Sequence, residues 1–156
     1  MTKLDRTDHQ ILSLLQKDAR RSNKDLAAQT GLAPSTVSER MRKLEDSGVF
    51  RGFFADIDPH ALGVGLQALI AIRMTRHDRE QVSRFRQYAS HLAEVIGFYH
   101  VTGPNDFLVH VAVRDSEHLQ KLALEAFTTQ PEVAHIETSL IFEYVPNRIV
   151  PDYAVV

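Results

Sequence analysis

The chain is 156 residues long, 44% hydrophobic and 24% charged, with 18 Lys and Arg against 20 Asp and Glu for a formal net charge of −2. It has no cysteine, which excludes disulfides, thiolate metal sites and cysteine nucleophiles. No apolar run approaches the ~20 residues that cross a bilayer. No charged region followed by an apolar run marks a secretory signal at the N-terminus, so a soluble, cytoplasmic protein with no membrane partner is expected. The charge is uneven: residues 1–50 carry nine Lys and Arg against seven Asp and Glu, and the rest nine against thirteen. A mildly basic first part joined to an acidic second part suits a DNA-binding domain attached to one with another task.

In chain order, a first helix opens at Asp5, with Asp8 three residues on, and carries an apolar face of Leu4, Ile11, Leu12, Leu14 and Leu15. Ser22 and Asp25 have the spacing of a capping box, in which side-chain oxygens satisfy orphan backbone N–H groups. They start a second helix with Leu26 and Ala27 facing inward. Gly31 suits the left-handed position that ends it, and Leu32 plugs the gap before the next helix. That third helix opens at Ala33-Pro34, where proline costs nothing because its missing N–H would be unpaired anyway. Val37, Met41 and Leu44 form its apolar stripe, and Gly48 closes it.

The outward positions of the third helix are Ser35, Thr36, Ser38, Glu39, Arg42 and Lys43, with Arg40 at the margin. Hydroxyls near a helix N-terminus suit phosphate or base-edge contacts, and arginines suit phosphate oxygens or the guanine O6/N7 edge. Glu39 can accept from a cytosine amino group or pair with Lys43 four residues on. Ser22–Gly48 thus has the layout of a helix-turn-helix, whose second helix enters the major groove. The plainer reading of the same stretch is a helical hairpin with a solvated charged face.

Beyond Val49 the helical period is lost. Residues 49–57 predict an extended strand, followed by a break at Asp58-Pro59 and a turn at Ala61-Leu62-Gly63. Phe53 and Phe54 are adjacent and face opposite sides, so a second chain is expected to cover them. A strand is predicted over Leu66–Met74, with Ala68, Ile70 and Ile72 on one face and Leu69 and Ala71 on the other. A helix follows over Asp78–Leu92, then a strand over Glu94–Thr102, a turn at Gly103-Pro104-Asn105 and a strand over Asp106–Val113. Ser116 is read as the cap of a helix through Thr129, which Pro131 ends, and Val133–Val145 as a last long strand.

The expected fold class is therefore α+β: a tri-helical (winged) helix-turn-helix domain over residues 1–50, a strand and linker over 51–65, and a ferredoxin-like βαββαβ domain over 66–156. In that arrangement two helices cover one sheet face and the other is bare. The same face of another copy would cover it, which predicts a symmetric homodimer. The tail PNRIVPDYAVV is expected to run extended across a neighbour.

Metal and catalytic motifs are weak. The eight histidines (His9, His60, His77, His91, His100, His110, His118 and His135) form no H-x-x-x-H or H-E-x-x-H pair. His100, His110 and His135 fall on predicted strands and could converge across the sheet, but scattered surface and sheet histidines are the plainer reading. There is no phosphate-binding glycine loop and no G-x-S-x-G, and Gly63-Val64-Gly65 reads as a linker bend. No cofactor and no metal are expected.

The opening LDRTDHQILSLLQKDARRSNKDLAAQTGL, the segment STVSERMRKLEDSGVFRGFFADIDPHALG and the hairpin VTGPNDFLVHV together resemble the Lrp/AsnC family of transcription regulators. The resemblance covers roughly residues 3–145. It implies binding of double-stranded DNA, a homodimer that can stack into tetramers or octamers, and a small effector, usually an amino acid, held between dimers near the hairpin of the second and third sheet strands. Carried over by position, Gly103 and Asp106 match the family's Gly-x-x-Asp, with Pro104 and Asn105 between them. Thr138 and Ser139 are further polar contributors. By themselves, Gly, Pro, Asn and Asp are what any hairpin turn uses. The chain departs from the family in two places: Ala33 stands where a capping serine is common, and Phe50 where isoleucine is usual. A regulator without enzymatic activity is expected. The alternatives are an enzyme on the same architecture that handles a tetrapyrrole, as siroheme decarboxylases do, and an effector-independent DNA-organising protein.

Overall fold

The computed structural model describes residues 4–76 and 78–154, so His77 lies outside the described residues. The chain forms two compact units, one of residues 4–56 with 145–154 and one of Ile57–Tyr144.

In the first unit each helix begins where its capping residues stand. α1 (Arg6–Lys17) is capped by Asp5 in a box with Asp8, and α2 (Asn23–Thr30) by Ser22 in a box with Asp25. Gly31, at φ +71°, ends α2 in the left-handed region and donates its N–H to the Ala27 carbonyl. α3 (Pro34–Asp46) starts at Ala33, which has an extended N-cap conformation but makes no side-chain cap bond. Ile11, Leu15, Leu26, Ala27, Val37 and Leu44 are buried together, with Leu32, Met41 and Phe50 packed against them. Phe50 therefore fits the helical core, with its ring centroid 5.2 Å from that of Phe53.

Residues 49–58 form no strand, contrary to the reading from residue type. A strand requires a partner ladder, and Gly52 interrupts the run at φ +140°, where the Phe54 ring covers its Cα so closely that a Cβ would lie 2.4 Å from the ring. Phe53 and Phe54 remain 49% and 82% exposed. The tail, grouped from sequence with the second domain, lies instead in the helical unit. There Arg148 Nη2 meets Asp56 Oδ1 at 2.5 Å, the Val150 N–H donates to Gln16 Oε1 at 2.6 Å, and His9 Nδ1 lies 2.7 Å from Asp152 Oδ2.

The second unit comprises β1 (Leu66–Met74), α4 (Arg79–Ala89), β2 (Val95–His100), β3 (Phe107–Val113), α5 (Ser116–Leu122) and β4 (Val133–Ile141). The sheet order is β2-β3-β1-β4 with every neighbouring pair antiparallel, which is the ferredoxin-like topology. β2 and β4 are shorter than their composition suggested, and α4 ends three residues early at Ala89. The cap of α5 is Asp115, whose carboxylate accepts the His118 N–H, and not Ser116. α5 runs on into a π-helical turn over Ala123–Thr128. There the Thr128 and Thr129 hydroxyls donate to the carbonyls of Leu124 and Glu125 and compete for the acceptors of a regular α-helix.

The period-two pattern of β1 holds: Ala68, Ile70 and Ile72 are fully buried under the helices, while Leu69 and Ala71 are half-buried on the other face. The core is aromatic, with Phe85 ringed by Phe107 at 5.3 Å, Phe98 at 6.3 Å and Phe127 at 6.4 Å. On the face without helices, Leu69, Tyr99, Val101, Leu108, His110, Ile141 and Tyr144 line a cavity of about 290 Å³. His110 Nε2 lies 2.8 Å from Gln67 Oε1, and the Tyr144 ring meets the imidazole edge-on. Burial lowers the His110 pKa below its ordinary value.

Candidate DNA-reading helix and effector hairpin

The two faces of α3 differ in chemistry because one is consumed by the core. Val37 and Leu44 are buried, whereas Ser35, Thr36, Ser38, Glu39, Arg42 and Lys43 are all exposed along the helix. Glu39 is engaged along its own helix, with Lys43 Nζ 2.9 Å from its Oε1. That hydrogen bond from Lys43 holds the Glu39 carboxyl below its usual range. Arg40 stands apart from the exposed row. Its Nη1 lies 2.7 Å from both Asp5 Oδ2 and Asp8 Oδ1, which ties α3 to the start of α1. Sequence spacing marked Asp5 and Asp8 as caps of α1, but nothing local marks them as partners of a side chain more than thirty residues away.

The hairpin between β2 and β3 is built as its residue types suggest. Gly103 has φ +124° and open space where a Cβ would sit, so it is the backbone conformation that requires glycine there. Asp106 closes the hairpin: its N–H donates to the Ile72 carbonyl at 2.8 Å, and its carbonyl accepts the Val101 N–H at 3.0 Å. Its carboxylate reaches across to β1, where Oδ2 accepts the Met74 N–H at 2.7 Å. Thr138 and Ser139 are not brought to this hairpin. They are exposed on the β4 edge, opposite Ile70 and Leu69, whereas the hairpin end of β3 pairs with Ile72. With β1 between them, β3 and β4 are about 10 Å apart.

Glu132, which has no motif around it, is 6% exposed at this same end of the sheet. Its carbonyl accepts the Thr75 N–H at 2.8 Å, and Arg84 Nη1 lies 3.4 Å from its carboxylate. The sheet histidines do not converge. His100 sits opposite Phe107, His110 opposite Leu69, and His135 opposite Arg73 on the far edge. Among the described residues no group of His, Asp and Glu could hold a metal ion, and no helix is long and apolar enough to cross a membrane.

A tri-helical unit with an exposed hydroxyl and basic helix, on one chain with a four-stranded βαββαβ unit, defines a helix-turn-helix regulator carrying a ligand-binding domain. Residues 4–51 match the winged helix-turn-helix DNA-binding family, and residues 67–150 match the Lrp/AsnC ligand-binding domain. The chain belongs to the Lrp/AsnC family of transcription regulators. It is 44% identical over 141 residues to the HTH-type transcriptional regulator AldR of Mycobacterium tuberculosis, covering 90% of this chain and 79% of that protein. It is 34% identical over 149 residues to the leucine-responsive regulatory protein of Klebsiella pneumoniae, covering 94% and 91% respectively. The crystal structure of a Neisseria meningitidis transcriptional regulator in complex with L-Met superposes with a TM-score of 0.84 at 27% identity, over 93% of this chain and 94% of the other. The chain is accordingly a DNA-binding transcription regulator with a small-molecule effector domain.

Proposed function

We propose that this protein is a cytoplasmic homodimer, able to assemble further into tetramers or octamers, that reads DNA with α3 and adjusts that reading to a bound amino acid. It acts by binding and not by catalysis. The observation that carries this reading is the one-sided chemistry of α3: two hydroxyl residues in its first turn, then Ser38, Arg42 and Lys43, all exposed and backed by a buried apolar stripe. Arg42 and Lys43 hold phosphate oxygens and set the register, and Ser35, Thr36, Ser38 and Glu39 face base edges. Arg42→Ala is expected to weaken binding to the DNA upstream of its own coding sequence about tenfold and to lower the slope of log K against log salt by about 0.9, one phosphate contact's worth. Fluorescence anisotropy over a salt series measures both, and an unchanged affinity removes Arg42 from the interface.

The amino-acid reading is supported by the L-Met complex of the Neisseria relative and by the hairpin Gly103-Pro104-Asn105-Asp106. Backbone N–H groups around Gly103 suit a carboxylate, and the Asp106 charge suits an ammonium. Such an effector shifts assembly or helix spacing only by its differential affinity for the states concerned. The dimer reading is supported by the apolar face of the sheet, where Leu69, Tyr99, Leu108 and Ile141 have no helix over them. Light scattering at micromolar concentration should give a mass of two chains or a multiple, and a monomer there defeats it.

A further inference from the structure

Arg40 lies on the DNA-reading helix, but its contacts point the other way. The capping box of α1 uses one oxygen of each carboxylate: Asp5 Oδ1 accepts the Asp8 N–H at 2.9 Å, and Asp8 Oδ2 accepts the Asp5 N–H at 3.0 Å. The two remaining oxygens, Asp5 Oδ2 and Asp8 Oδ1, both take Arg40 Nη1 at 2.7 Å. All four carboxylate oxygens are thus engaged in one closed motif. Two carboxylates against one guanidinium leave it net negative, which is a poor place for a phosphate to land. The Arg40 side chain is also withdrawn, 28% exposed against 68% for Lys43 on the same helix.

The apolar stripe of α3 fixes how deeply the helix sits and which face turns inward, but apolar contact is non-directional and restrains small rotations about the helix axis less closely. Short charge-assisted hydrogen bonds are directional and resist it well. The acidic pair is itself favoured at the α1 N-terminus by the helix dipole. The Asp8 N–H, followed by Arg40, holds the Asp5 carboxyl below its usual range.

We propose that Arg40 is a positioning residue: with Asp5 and Asp8 it clamps the rotation of α3, so that Ser38, Arg42 and Lys43 meet DNA in register, and it makes no phosphate contact of its own. This rests on α3 being the DNA-reading helix.

The test uses the full-length protein and a duplex spanning the region upstream of its own coding sequence, with anisotropy measured across a salt series. The variants are Arg40→Gln, Arg40→Lys and the double variant Asp5→Asn with Asp8→Asn. Asparagine is itself a good N-cap, so α1 is preserved in the last. Arg40→Gln and the double variant should each lose roughly tenfold in affinity with the salt slope unchanged, and Arg40→Lys should recover part of it. If Arg40 instead holds a phosphate, Arg40→Gln lowers the slope by about 0.9 and the double variant, relieved of two negative charges, binds more tightly. That pair of results overturns the proposal, as does wild-type affinity in both variants. Circular dichroism melts check that each variant is folded at the assay temperature, and the charge-removing Arg40→Met replaces Arg40→Gln if the latter is not. Should the wild-type protein ignore DNA, the functional reading fails by itself. The clamp is then decided by a double-mutant cycle between Arg40 and Asp8 in thermal unfolding, where absence of coupling overturns it.

Discussion

Asp106→Ala is expected to abolish the response to amino acids while leaving DNA binding without effector close to wild type. The reason is that Asp106 does two things at once. In the proposed function its charge holds an effector ammonium, and its Oδ2 accepts the Met74 N–H at 2.7 Å, which pins the start of β3 to the end of β1. Alanine removes both, so a lost response in that variant alone does not separate electrostatics from hairpin geometry. Asp106→Asn separates them, because the amide oxygen can still accept from Met74 while the charge is gone. If charge is what matters, the Asn variant loses the response as fully as the Ala variant. If it responds normally, Asp106 only shapes the hairpin. The measurement is a thermal-shift screen of the twenty amino acids against each variant, since a ligand that binds the folded state raises its apparent stability. A full response in Asp106→Ala puts the pocket elsewhere.

Phe85→Ala is expected to cost the βαββαβ unit about 3–5 kcal/mol, the range for removing a buried aromatic ring from a packed core. Phe85 is 1% exposed and touches the rings of Phe98, Phe107 and Phe127, which come from β2, β3 and the π-helical turn after α5. A single truncation therefore opens a void shared by both helices and two strands, and no neighbour can fill it without leaving another. Against a typical domain stability of about 5–15 kcal/mol this is a large fraction. At roughly 4–8 °C per kcal/mol for a domain of this size, the melting temperature should drop by about 12 °C or more. Phe98→Ala, on the edge strand and only half-buried, should cost clearly less. Urea unfolding followed by far-UV circular dichroism gives both values. Equal, small losses would mean that the aromatic cluster is not the centre of this core.

Elements with a local signal were legible before the structure. The capping pairs Asp5 with Asp8 and Ser22 with Asp25, the helix-ending Gly31, the turn at Gly103 and the alternating β1 all carry their cause within a few residues. Where residue type was read without a partner, the reading drifted. VFRGFFADI has strand composition but no ladder to join, and β4 ends at Ile141, short of Val145. Ser116 lost the cap of α5 to Asp115, whose carboxylate accepts the His118 N–H.

The sequence by itself determined the starts of the three N-terminal helices, the order of the βαββαβ elements, the buried faces of α3 and β1 and the family, because caps and hydrophobic periods act over one or two turns. Only the tertiary structure decided that Arg40 turns inward to Asp5 and Asp8, that Asp106 reaches Met74, that Thr138 and Ser139 stay away from the hairpin, and that the tail lies with the helical unit. These are pairings between segments far apart in the chain. Their partners are chosen by the packing of whole elements, so no local pattern announces them.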